Sequence, residues 1–135
     1  MITDWLGREG GELLTWWLLV TLAGAVAWPL MFRVARGLPD RGYTLARAAG
    51  LMLTGFTFWF LSSLGLLRND TGSMAFAWGL VLVISLAVFL RSGGDRGQMR
   101  PWLREHWGLV VLTEVLFVLL FVGWAAYRAH NPDMR

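Results

Sequence analysis

LLTWWLLVTLAGAVAWPLMF, residues 13–32, runs for 20 positions without a charge. Wound as a helix it covers about 30 Å, the thickness of a bilayer's hydrocarbon core. A water-soluble core has no need of such a run, so this stretch sets the fold class: an all-α, polytopic integral membrane protein. Pro29 falls in the last turn, where a missing backbone donor costs least. The run follows Asp4, Glu9 and Glu12, with Arg8 the one positive side chain before it. That is not the basic head of a signal peptide, so the segment is expected to be retained.

Three similar runs follow, at 48–67, 74–90 and 108–127. The chain is therefore expected to be a single membrane domain, 1–135, of four transmembrane helices with short loops. The composition agrees: 56% of the 135 residues are hydrophobic, 16% are charged, and there are nine Trp and eight Phe. These proportions exclude a soluble enzyme and a disordered tail. The absence of Cys removes disulfides, thiolate metal sites and thiol nucleophiles.

Between the second and third runs, Asn69-Asp70-Thr71-Gly72-Ser73 predicts a tight hairpin. After the third, Arg91 to Arg100 is rich in glycine and charge and reads as the most mobile loop. Pro101 restarts the chain, and Trp102, Leu103, His106 and Trp107 recur at helical spacing opposite Arg104 and Glu105. This predicts a short interfacial helix before the fourth span.

All 12 basic residues are Arg, and eight of them lie in two loops: Arg33, Arg36, Arg41 and Arg47, then Arg91, Arg96, Arg100 and Arg104. The positive-inside rule puts loops 33–47 and 91–106 in the cytoplasm and both termini outside a cell membrane. Arg residues scattered over loops suit lipid headgroups, not nucleic acid. Trp16, Trp17, Trp28, Trp107 and Trp124 near span ends fit aromatic belts and need no other role.

Glu114 is the one charge inside the fourth run. A carboxyl in hydrocarbon is costly and faces protein, water or a partner. It lies two turns from the cytoplasmic end, close enough to bond a loop Arg or a Thr of another helix. Its own helical neighbours, Trp107, Val110, Val111, Phe117, Val118 and Phe121, are all apolar, so it is expected to be neutral. On the second run Gly50, Thr54 and Thr57 form a mostly small stripe, read as a helix-packing face. His106 and His130 lack companions at ligand spacing, so no metal is expected. Nor does any motif call for a cofactor or a catalytic group within these residues.

Leu38-Pro39-Asp40-Arg41-Gly42-Tyr43, then Leu45, Ala46, Arg47, Gly50, Trp59, and Leu61 through Asn69, together resemble the N-terminal part of the large "YYY" membrane proteins of Chloroflexota and archaea. Tyr127 to Asp133 resembles the point where those proteins leave an early helix for a large external loop. The resemblance implies a GT-C-like architecture, that of glycosyltransferases using lipid-linked donors, with a catalytic carboxylate just outside a membrane helix. In this sequence that position falls on Asp133, with Arg68 and Arg128 as contacts for a donor phosphate.

Three functions remain open. The first is a non-catalytic four-helix module acting through contacts with membrane lipids and other membrane-protein chains. The second is the N-terminal piece of a GT-C-like glycosyltransferase. The third is an accessory subunit of an energy-transducing complex, with Glu114 on a proton path.

Overall fold

The computed structural model describes residues 2–95 and 97–130. They form five helices: α1 (Ile2–Val34), α2 (Ala46–Ser63), α3 (Thr71–Arg91), α4 (Met99–Glu105) and α5 (Trp107–His130). Among the described residues, three helices are long and apolar enough to cross a membrane: Glu9–Val34 of α1, α3 and α5. α2 is helical and packed against α1 but is not one of them, because Arg47 in its first turn and its Thr and Ser residues lower the hydropathy of its 18 residues.

α2 stops four residues before the sequence predicts. Gly65 takes φ +75°, which only glycine adopts without strain. The amide of Leu66 then returns to the Leu61 carbonyl, and that of Gly65 to Ser62, closing the helix end. The following helix starts early. Asp70 accepts the Ser73 amide at 2.7 Å as the N-cap of α3, so Thr71, Gly72 and Ser73 are its first turn and not a hairpin.

The core of the bundle is built from small side chains. α1 buries Ala23, Gly24 and Ala27; α2 buries Ala46, Gly50 and Thr54; α3 buries Ala77, Val81 and Ser85. The α2 and α3 sets repeat every four residues, and Ala23, Gly24 and Ala27 fall within little more than one turn, so each helix turns one narrow stripe inward. Many large side chains point out, Met52 at 69% and Trp59 at 63% exposed, while Phe32 and Trp102 are the large residues buried at one end. Lipid is as apolar as leucine, so burying large residues gains little in a membrane, while small ones let backbones approach and gain dispersion contacts. The closest approach is at Gly50, where a Cβ would stand 2.0 Å from the Ala23 carbonyl oxygen. Thr57, the third member of the predicted stripe, is half-buried one turn past Thr54.

These contacts fix directions. Gly24 meets Arg47 while Ala23 meets Gly50, so α1 and α2 are antiparallel. Leu30 meets Ser85 and Arg33 meets Val88, so α1 and α3 run the same way. The first of these is a hydrogen bond of 3.1 Å from the Leu30 amide to the fully buried Ser85 hydroxyl, just after Pro29.

The two Arg-rich loops meet at one end of the bundle. Arg36 pairs with Asp95 at 2.5 Å, and Arg41 donates to Gln98 at 3.1 Å. Asp95 is only 2% exposed, so the glycine-rich segment is pinned at this point. α4 lays one side chain against this end of the bundle and leaves most of its others exposed. Its Trp102 is buried among Phe32, Trp28 and Tyr43, with ring centroids 5.8 to 6.4 Å away, and stacks on His106. Trp28 thus belongs to an internal aromatic cluster instead of a lipid belt.

Candidate functional site

Glu114 sits on the third turn of α5, about 10 Å along the helix from Trp107. From α2, Arg47 brings Nη2 to 2.5 Å of one carboxyl oxygen, and the Tyr43 hydroxyl donates to the other at 2.7 Å. The expectation of a neutral Glu114 rested on its own helical face, which holds no base. The counter-charge comes from another helix, and with a guanidinium in contact that ground for protonation is gone.

The arrangement follows from local sequence. Gly24 leaves room for the stem of Arg47, whose Cγ lies 2.8 Å from where a Cβ would stand. The guanidinium continues over the Phe117 ring, 4.1 Å from its centroid, one turn beyond Glu114. Tyr43 is placed by the turn before α2. There Asp40 accepts the Thr44 amide at 3.0 Å and the Gly42 amide at 3.2 Å, as well as the Thr44 hydroxyl. Burial alone pushes the Asp40 carboxyl up, but these bonds outweigh it and hold the group below its ordinary value. Burial first, and the bond to Glu114 second, push the Tyr43 phenol up to about 12.

Tyr43, Arg47 and Glu114 line one end of a cleft of about 300 Å³ whose other walls are Thr21, Ala25 and Trp28 of α1 and Val110 of α5. The side chains of Arg47 and Glu114 are 12% and 32% exposed. Further along the same two helices a second hollow of about 340 Å³ lies between Leu13 and Trp17 of α1 and Val118 and Phe121 of α5. α5 itself buries no residue.

The residues predicted for a donor phosphate site are not part of this cleft. Arg68 lies in the α2–α3 turn and Arg128 in the last turn of α5, both exposed and at the bundle end away from Glu114. Asp133 lies outside the described residues. Gly50 and Thr54 are in the bundle core, where they set the spacing of α1 and α2. His106 and His130 each bond the carbonyl four residues before, and no cluster of metal-ligating side chains exists among the described residues. Sequence reasoning passed over Tyr43 as a site residue and counted Arg47 only as a loop charge. The signal for Arg47 was its place one residue before an uncharged run, on a helix otherwise small on that face.

Long apolar helices packed through small residues, with an ion pair between α2 and α5, define a polytopic helical membrane protein. The chain belongs to the uncharacterized membrane protein family DUF2298, which matches residues 53–135, more than half of its length. No curated protein and no solved structure matches it.

Proposed function

We propose that the chain is a non-catalytic helical module that works by joining a larger membrane assembly, and that the outer face of α5 is where another chain's transmembrane helix packs. The observation that carries this reading is the notch at Gly123. Leu119, Leu120, Trp124 and Tyr127 surround a hollow of about 350 Å³ there, on the side of α5 away from Glu114. Glycine costs a helix about 1 kcal/mol relative to alanine, and in hydrocarbon the usual compensation is a neighbouring helix at close range. α2, about 27 Å long, is then the fourth crossing. The end formed by loops 33–47 and 91–106 faces the cytoplasm, following its Arg excess.

The test exploits the open space at Gly123, where an added Cβ meets no other side chain within 4 Å. Gly123→Leu should leave detergent thermal stability unchanged while removing the chains that purify with the wild type in mild detergent. Unchanged co-purification, or no companion chain for the wild type, refutes the proposal.

A second reading follows the resemblance to the YYY proteins, in which the chain is the N-terminal piece of a GT-C-like glycosyltransferase. One placement favours it: Arg68 and Arg128 share the bundle end at which α5 leads toward Asp133, opposite the Arg-rich loops. A companion chain with glycosyltransferase activity that depends on Asp133 would support this reading over the first.

A further inference from the structure

The seam between α1 and α5 combines three features. It runs from Trp28 to Gly10 along α1, about 27 Å of helix, nearly the depth of a hydrocarbon core. Its walls are apolar along most of that length, and its polar groups gather at the Arg47 end. Four side-chain donors covered just behind its walls, Trp17 Nε1, Thr21 Oγ1, Trp28 Nε1 and Arg47 Nε, have no acceptor among the described residues.

Unpaired donors in an apolar setting cost free energy, and within a bilayer water is not there to satisfy them. What the seam calls for is an acceptor-rich group attached to a hydrocarbon tail. A transmembrane helix uses its backbone carbonyls within its own turns and has few acceptors to offer. A phospholipid carries ester and phosphate oxygens at the head of a hydrocarbon tail.

We propose that the α1–α5 seam binds one glycerophospholipid, with its ester and phosphate oxygens taken by Arg47, Trp28 and Thr21 and one acyl chain lying toward Trp17. Arg47 keeps its Nη2 bond to Glu114 and offers Nε to the lipid. The two charges cancel, so recognition rests on the acceptor oxygens common to phospholipids and not on headgroup charge. The donors are covered in the free chain, so binding turns their side chains toward the cleft. This site is separate from the Gly123 face, and either can fail without the other.

Native mass spectrometry of the full chain, loaded with phosphatidylglycerol or phosphatidylethanolamine in mixed micelles, tests the site. One phospholipid of either kind should stay bound at energies that strip the rest. Ala25 is exposed into the cleft, so Ala25→Trp should cut retention at least tenfold with unchanged circular dichroism. Val110→Phe should do the same from the α5 wall. A photo-crosslinker in place of Leu103, at the cleft mouth, should label phospholipid in native membranes and needs no folded cavity variant. Wild-type retention in either folded variant overturns the proposal. So does a crosslinker that labels protein and no lipid, or retention of phosphatidylglycerol alone.

Discussion

α1, α2 and α3 are held together by residues with little side chain, and α5 is held by residues with long polar ones. Ala23, Gly50 and Ala77 contribute closeness, so their contacts are dispersion forces that fail when atoms are added. Glu114, Arg47 and Tyr43 contribute charge and hydrogen bonds across a cleft, so theirs fail when charge is removed. The two attachments should therefore respond to opposite kinds of substitution, and that difference can be measured.

The largest effect is expected at Gly50. Even Gly50→Ala places a carbon 2.0 Å from the backbone oxygen of Ala23, which cannot rotate away. α1 and α2 must separate, at a cost of about 3 kcal/mol or more. A steep fall in detergent melting temperature checks it. A variant that melts with the wild type would mean that α2 is not seated on α1 as described.

Next comes the tether. Arg47→Gln leaves the Glu114 carboxyl without its counter-charge, and Glu114→Gln leaves the guanidinium. Because the Glu114 side chain is about one-third exposed, each single change should cost about 1–3 kcal/mol, less than for a fully buried pair. A double-mutant cycle should return a coupling of about 1–2 kcal/mol. Additive losses would show that α5 is held by something other than this pair.

The same contrast explains what the sequence discloses. Apolar runs of bilayer length are a property of consecutive residues, so α1, α3 and α5 were legible, as was the short helix at Met99–Glu105. The packing stripe on α2 showed as Gly50 and Thr54, but the matching stripes at Ala23–Ala27 and Ala77–Ser85 were hidden among alanines common in any membrane helix. Glu114 was visible because a charge in hydrocarbon is rare. Its partners were not, because Arg47 and Tyr43 lie some 70 positions away and only the pairing of helices brings them near. Gly65 was a stop signal overlooked inside a run that hydropathy alone carried to Leu67.

Within the small-residue core, Ser85 is an exception that sharpens the comparison. Its buried hydroxyl accepts the Leu30 amide. Ser85→Ala keeps the volume nearly unchanged and removes that bond, at about 1 kcal/mol. Faster hydrogen exchange at Leu30, with little change at Ala23, would locate the loss. No change at Leu30 would make the core a matter of packing alone.

The smallest effect belongs to Tyr43, and it depends on pH. Its phenol is pushed from the ordinary 10 up to about 12 by burial and by its bond to Glu114, so the fold favours the protonated form. The sign follows from linkage: the contribution is complete below pH 10, where folded and unfolded chains both keep the proton. It fades as pH rises from 10 toward 12, where the unfolded chain releases the proton first. Tyr43 is half-buried, so solvent screens part of the gain, and Tyr43→Phe should cost only about 0.5 kcal/mol at neutral pH. The variant should also flatten the loss of stability above pH 10. Tyr127 is the other tyrosine, so a Tyr127→Phe background makes the phenolate absorbance report Tyr43 alone. Titration near 10 in that background would mean that Tyr43 does not reach Glu114, and that the tether consists of Arg47 without it.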